Sequence, residues 1–270
     1  MWLNLTELER ALDTRFIGRR VVYLTTTGST MDDARREAEA GAAEGTVVLA
    51  EEQTKGRGRF DRAWVSPAGK NLYLTIIMRP PMERLRSLSV VTPLAVALAV
   101  EETTSLAPRI KWPNDVLVGG KKVCGILAEM QTEAGALRAV VLGIGVNLNA
   151  PLSAFPEELR DKASSLFLAS GRLVDRPTFT AALLTHLEKL YVLWLEGGFA
   201  ELRPAWAHHA AWMIGQQITV AAPEGTVVGM VLGLDSDGAL LLQEENSGTP
   251  RRLLAGDVTV VGGYTQGVRS

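Results

Sequence analysis

The sequence predicts an α+β fold: a mixed, largely antiparallel sheet flanked by helices, with a small SH3-like β barrel at its C-terminal end. Three observations predict it. Between Val116 and Asn147, apolar runs of strand character follow one another with only short turns between them. Hairpins make that order and helical crossovers do not. Before them, helix-like segments separate strand-like ones. From about Gly215 the chain breaks into short strands parted by Gly, Asp and Pro, as in a small barrel.

Taken in order, Thr6 followed by Glu9 fits a capping box opening a short helix through Leu12. Residues 20–25 read as a strand. Thr27-Gly28-Ser29-Thr30 then turns into a helix over 31–40, whose Asp32 and Asp33 suit its positive end. A second strand over 46–50 runs into 53–62, a segment with two glycines and no apolar period, expected to be a mobile loop. Residues 71–78 make a strong strand and 88–102 a buried helix. Strands at 116–118, 122–130 and 136–147 follow, the first two joined by a tight turn at Gly119-Gly120. Residues 179–195 are apolar at helical spacing after Pro177. The barrel strands fall at 217–221, 225–234, 239–243 and 257–261, with Asp235-Ser236-Asp237-Gly238 as a turn.

Composition excludes several classes. The 28 basic and 30 acidic residues leave a net charge of −2, unlike a protein that grips nucleic acid over a broad face. Apolar residues make up 47% of the chain, yet no run reaches the roughly 18 residues of a membrane span. The N-terminus carries acids and lacks the basic-then-apolar order of an export signal, and the lone Cys124 cannot form an internal disulfide. A cytoplasmic protein is expected. With three histidines, His208-His209 lacks partners at metal-ligand spacing, and neither a Walker A sequence nor a Rossmann glycine fingerprint is present.

Three segments carry candidate chemistry. In Gly56-Arg57-Gly58-Arg59, continued by Arg62 and Trp64, the glycines allow close backbone approach and the arginines supply planar donor forks for phosphate or carboxylate. Trp64 offers an aromatic face for a purine or a cation. Empty, such a loop is expected to be poorly ordered, because its charges repel. A solvated Arg-Gly loop, or one touching RNA, is the alternative. Lys111-Trp112-Pro113-Asn114-Asp115 holds Trp112 extended and presents two oxygen-bearing side chains that could hold Mg²⁺ on nucleotide phosphates, or it is an ordinary turn. Lys122 opens an apolar strand in which Gly125 hints at close approach to the backbone; the alternative is a surface lysine at a strand end. Cys124 reads as a small packing residue, and Asn147 places an amide at the end of the strand Gly143-Ile144-Gly145-Val146.

In this order, Ser29-Thr30 after a strand, the Gly56–Trp64 segment, the Lys111–Asp115 segment, Lys122 with Gly125-Ile126-Leu127, and Gly143–Asn147 resemble the biotin protein ligase family. The resemblance runs from about residue 20 to the C-terminus. It implies a class II synthetase-like catalytic domain over 1–213 that binds biotin and ATP, and a barrel over 214–270. It further implies that Ser29, Thr30 and Gln53 bond the ureido ring of biotin, and that Gly56, Arg57, Gly58 and Arg59 close over biotin and the adenylate. Lys122, beside Gly125, would lie between the biotin carboxylate and the α-phosphate. Trp64 would lie against the adenine, Arg62, Asn114 and Asp115 would serve the phosphates and Mg²⁺ (Asp115 as the metal ligand), and Asn147 would line the nucleotide side. Lys122 and Arg59 are the catalytic candidates, and the acceptor is a lysine of a biotin carboxyl carrier protein.

Met31 and Phe60-Asp61 depart from residues common in the family. Fewer than twenty residues precede the catalytic pattern, so the DNA-binding domain of repressor members, and DNA binding with it, is not expected. The resemblance leaves a homodimer open. Two other functions stand beside this one: a lipoate or octanoate ligase of related fold, and a non-catalytic biotin sensor.

Overall fold

A computed structural model describes residues 2–222, 225–245 and 247–260. Helix α1 (Leu5–Ala11) begins two residues before the expected capping box. Its N-cap is Asn4, whose side chain accepts from the N–H groups of Thr6 and Glu7 at 3.1 and 3.3 Å. Asn outranks the alternatives at that position because its oxygen reaches both orphan donors. Strand β1 (Val21–Thr27), helix α2 (Thr30–Glu39) and strand β2 (Val47–Gln53) form a parallel crossover unit, which supplies the one parallel pairing of the large sheet. Strand β2 runs to Gln53, so that residue ends a strand rather than beginning a loop.

After the loop come strand β3 (Leu72–Met78), helix α3 (Leu85–Thr103), and strands β4 (Pro108–Lys111), β5 (Asp115–Val118), β6 (Lys121–Glu133) and β7 (Ala136–Val146). Their order is β1-β2-β3-β7-β6-β5-β4. The mixed, mostly antiparallel sheet is as expected. Strand β4 escaped the sequence reading because four residues, one of them a proline, give no countable period. Gly119 and Gly120 both have positive φ, +58° and +79°, which the turn from β5 to β6 needs and a Cβ would oppose.

One face of this sheet is closed by α1, α3, α5 (Arg176–Gly197) and α6 (Phe199–Ala210), once the short α4 (Leu166–Ser170) has turned the chain. Even-numbered residues of β3 and β7 (Leu74, Ile76, Leu142, Ile144) enter that core. The odd-numbered ones turn to the other face, where α2 covers only part of the sheet. The uncovered part is where a site can form.

A second sheet follows: β8 (Gln217–Ala222), β9 (Gly225–Leu234), β10 (Leu240–Gln243), β11 (Arg251–Leu253) and β12 (Asp257–Val260), in the order β11-β10-β9-β8-β12 and antiparallel throughout. It stands where the small barrel was expected. Strand β11 was missed, being three residues long, and residue 261 of the last expected strand lies outside the described residues. Among the described residues no helix is long and apolar enough to cross a membrane.

A buried ion pair ties β2 to α5. Glu51, fully buried, meets Arg176 at 2.8 Å and also accepts from the Leu3 N–H at 2.7 Å and from the Tyr23 hydroxyl. Burial, then this bond and the charge of Glu51, push the Tyr23 hydroxyl up to about 12. Arg176 in turn donates to the Asn71 carbonyl at 3.1 Å, so the pair fixes the start of β3 and the β2 segment leading to Gln53. Removing one partner strands a buried charge. Arg176→Met should therefore cost about 3–5 kcal/mol, read as a fall in the urea midpoint with an unchanged slope.

Candidate active site

The partly covered face of the large sheet presents, from β3 outward, Thr75 opposite Gly143, then Gly145 opposite Gly125, then Asp115 opposite Gly125. Three strand intervals of about 4.8 Å give this floor a width of roughly 14 Å. The middle of it has no side chains. A Cβ on Gly145 would come within 2.5 Å of the Trp64 indole, one on Gly125 within 3.0 Å of the same ring, and one on Gly143 within 2.5 Å of the Met31 sulfur. The glycines are there because rings and chains must lie flat on the sheet.

At the β3 end, α2 begins. Its N-cap Ser29 makes no capping bond, and its hydroxyl is buried without a partner in a residue only 1% exposed. A buried orphan hydroxyl costs about 1–3 kcal/mol unless something bonds it. Beside it, Gln53 Oε1 accepts from the Thr30 N–H at 2.9 Å and from the Thr30 hydroxyl at 3.1 Å, and the Thr75 hydroxyl donates to Thr30 Oγ1 at 2.9 Å. Gln53 Nε2 reaches the Ser66 hydroxyl at 3.1 Å. Ser29, Thr30 and Gln53 are thus brought together, with Thr75 and Ser66 as partners that the sequence reading missed. Both were isolated hydroxyl residues with no pattern to mark them.

At the far end, Lys122 Nζ pairs with Asp115 at 2.6 Å, and Lys111 Nζ approaches the other oxygen of Asp115 at 3.7 Å. The Lys122 ammonium also sits 5.5 Å from the Trp64 ring centroid, within cation–π range. Asn114 is a strut: Arg59 donates to its Oδ1 at 3.0 Å, and its Nδ2 donates to the Ile126 carbonyl at 2.8 Å. Asn114 and Asp115 are the two side chains read as able to hold Mg²⁺ on nucleotide phosphates. Both are occupied by cations or donors of the chain, and among the described residues no group of three or more His, Cys, Asp or Glu side chains could hold a metal ion. The residues present do not fit a resident metal.

The loop arches over the floor. Gly56 passes so close to the Trp64 carbonyl and the Ser66 hydroxyl that a Cβ would lie 2.6 and 2.9 Å from them. The Gly58 N–H donates to the Arg62 carbonyl at 2.7 Å and the Trp64 N–H to the Gly56 carbonyl at 2.9 Å, closing the loop on itself. The repulsion foreseen among its arginines is relieved within the chain. Arg57 makes a two-pronged pair with Asp32 at 2.9 and 2.8 Å, and Arg62 pairs with Asp257 at 2.5 Å. Arg59, besides its bond to Asn114, donates to the Gly256 carbonyl at 3.0 Å. The hydrogen bond from Arg57, with the charges of Arg57, Arg35 and Arg36, holds the Asp32 carboxyl below the usual carboxylate range against the opposing effect of burial. Asp32, read from sequence only as favouring the helix dipole, is the anchor of the loop.

Trp64 lies with its indole on the glycine floor, beside Lys122, its ring N–H buried without a partner. Asn147 is turned inward. It is 4% exposed, its Oδ1 accepts from Asn71 at 3.3 Å and its Nδ2 donates to the Ser164 carbonyl at 3.1 Å, so its amide is spent on holding the end of β7. Cys124 is a packing residue on the opposite face, its thiol pushed well up by burial.

A hydrogen-bonding helix start, a side-chain-free floor and a cluster of paired cations define a class: a protein with a cleft suited to a small ligand that carries negative charge. The sequence profile of the Biotin/lipoate A/B protein ligase family matches residues 22–147, and that of the Biotin protein ligase C terminal domain matches 213–261. The chain is 37% identical to the Bifunctional ligase/repressor BirA of Bacillus subtilis, over 95% of this chain and 78% of that protein. It is 34% identical to the Biotin--[acetyl-CoA-carboxylase] ligase of Mycobacterium tuberculosis, over 93% of this chain and 94% of that one. Its fold is similar to that of the Aquifex aeolicus biotin protein ligase in complex with biotin and ATP, with a TM-score of 0.79, 30% identity, and coverage of 90% of this chain and 99% of that one. The chain belongs to the biotin protein ligase family.

The Arg57–Asp32 pair makes a pH prediction. A carboxyl with a lowered native pKa contributes stability that is present above its unfolded pKa of about 3.9 and lost as pH falls through the native value. In Arg57→Ala the Asp32 carboxyl should titrate closer to the ordinary range. A pH titration of its side-chain carbon by NMR reads this directly, and a midpoint that stays put would contradict the pairing.

Proposed function

We propose that this chain activates biotin with ATP as biotinyl-5'-AMP and transfers it to a lysine of a biotin carboxyl carrier protein, in the cytoplasm and without binding DNA. The observation that carries the reading is the Ser29 hydroxyl, buried and unpartnered at the open start of α2, across a glycine floor from Lys122. A ureido ring has donors and an acceptor to offer such a group, together with Thr30 and Gln53. A lipoyl chain has none. The C-terminal match and the named ligases favour biotin for the same reason of kinship. The near balance of 28 basic and 30 acidic residues supports a partner other than nucleic acid.

In the first step a biotin carboxylate oxygen attacks the α-phosphorus of ATP and pyrophosphate leaves, so negative charge grows on the α-phosphoryl oxygens. Lys122 and Arg59 answer that charge, with Arg62 toward the departing phosphates. Lys122 is already seated at the floor by Asp115, and a phosphate exchanges for that carboxylate without a new cation having to be brought in. Asn114 holds Arg59 in place. No protein nucleophile is required, because the difficulty is bringing two anions into line. Mg²⁺ would come on the nucleotide's phosphates, for the residues here provide no cage for it. The loop from Gly56 to Trp64, folded over the floor, keeps water from the mixed anhydride. In the second step a neutral lysine amine of the carrier attacks the acyl carbon and AMP leaves. The two sheets are proposed to be two domains, 1–213 and 214–270.

Incubation with ATP, Mg²⁺, biotin and a carrier domain, followed by intact mass, tests the whole reading: the acceptor should gain one biotin, and no gain would refute it. Lys122→Ala should slow adenylate formation about 100-fold, the loss of one fixed donor at about 3 kcal/mol, in single-turnover measurement of biotinyl-AMP. Ser29→Ala should leave thermal stability unchanged or slightly raised, since it removes an unsatisfied group, while biotin affinity by calorimetry falls by about 5- to 30-fold.

A further inference from the structure

The cations at the floor that pair with a carboxylate find it in the large sheet's own half of the chain, except Arg62. Arg62 is held by Asp257, the first residue of β12, and Arg59 reaches the carbonyl of the preceding residue, Gly256. Two consecutive residues of the second sheet thus receive two arginines of the loop. The spacing is a product of local geometry. The Arg62 N–H donates to the Arg59 carbonyl at 3.3 Å, closing a tight turn in which residues three apart stand side by side. Phe60 makes this turn with φ of +57°, a left-handed backbone that a bulky side chain adopts at a cost. Its ring, 58% exposed, lies 5.0 Å from the Arg59 guanidinium and 5.8 Å from that of Arg62. A backbone strained in this way persists where the surroundings hold it, and the surroundings here are Gly256 and Asp257.

The receiving turn is itself fixed. A Cβ on Gly256 would lie 2.3 Å from a Val220 methyl, so the chain there is pressed against β8, and Asp257 pairs with Ala221 in the sheet. The second sheet is also tied to the Lys111–Asp115 turn: the Trp112 indole N–H donates to the Gly238 carbonyl at 3.1 Å. The position of Asp257 is therefore referred to the same turn that carries Asn114 and Asp115.

We propose that Asp257 is a positioning residue: with the Gly256 carbonyl it latches the arginine loop to the second sheet, so that Arg59 and Arg62 stand over the floor before nucleotide arrives. The roles of those arginines toward phosphate rest on the ligase reading; the latch does not. The pair is exposed on its Arg62 side, 67% against 29% for Asp257, so the effect is of the size of a surface ion pair, about two- to fivefold.

The test compares the whole chain with Asp257→Asn, which keeps the shape and removes the charge, and with Asp257→Glu, which keeps the charge. In the absence of nucleotide, tryptic cleavage after Arg59 and Arg62 should be about two- to fivefold faster in Asp257→Asn and near the wild-type rate in Asp257→Glu. The KM for ATP should rise by a similar factor in Asp257→Asn, with kcat within about twofold of wild type, and return toward wild type in Asp257→Glu. Cleavage at the wild-type rate in Asp257→Asn overturns the latch, as does equal acceleration in both variants. Faster cleavage with an unmoved KM overturns the positioning role. A wild-type chain that forms no biotinyl-AMP refutes the ligase reading alone, because the proteolysis compares ligand-free proteins.

Discussion

The constraint on which the rest depends is the gathering of like charges. A site for two anions needs several cations close together, and before any ligand comes they must not drive one another apart. Here Arg57, Arg62 and Lys122 each face an aspartate, Asp32, Asp257 and Asp115 respectively. Paired in this way, the cations cost the empty fold little. At a partly exposed site each such pair is weak. The carboxylates come from three places: the start of α2, the turn into β5, and the start of β12. The site is therefore a meeting point of the whole fold.

A second constraint is the flat floor. Antiparallel pairing puts Gly125 beside Gly145, and Gly143 lies two residues before Gly145 on the same face. The space they leave is filled from above by Trp64 and Met31. Met31, a departure from polar residues at its position, is explained by this: its sulfur packs over Gly143 in a small apolar cluster with Ala34, Val48 and Val141. The indole N–H of Trp64 and the hydroxyl of Ser29 are both buried without partners. Both atoms border the glycine floor, where a ligand could bond them.

The two sheets meet at the candidate site. The Trp112 ring reaches Gly238 and the loop arginines reach Gly256 and Asp257. The second sheet thus touches both the loop and the turn that frame the cationic end of the floor, so a shift of either of its turns would be felt there.

The fold class was legible in the sequence because strand and helix periods are local: 136–147, 88–102 and the Gly119-Gly120 turn declare themselves within a few residues. The residues that gather at the candidate site could also be named, since Ser29-Thr30, Gly56 to Trp64 and Lys111 to Asp115 are contiguous motifs. Short elements such as β4 and β11, and the true cap of α1, were lost because they carry too few residues for a period. Tertiary structure alone decided the partners. That Arg57 belongs to Asp32, Lys122 to Asp115 and Arg62 to Asp257, and that Asn147 turns inward to Asn71 and Ser164, follows from strand register and from where the fold brings the loop against α2 and β12. A sequence fixes which charges a protein has; which of them neutralise one another is a matter of distance, and distance belongs to the fold.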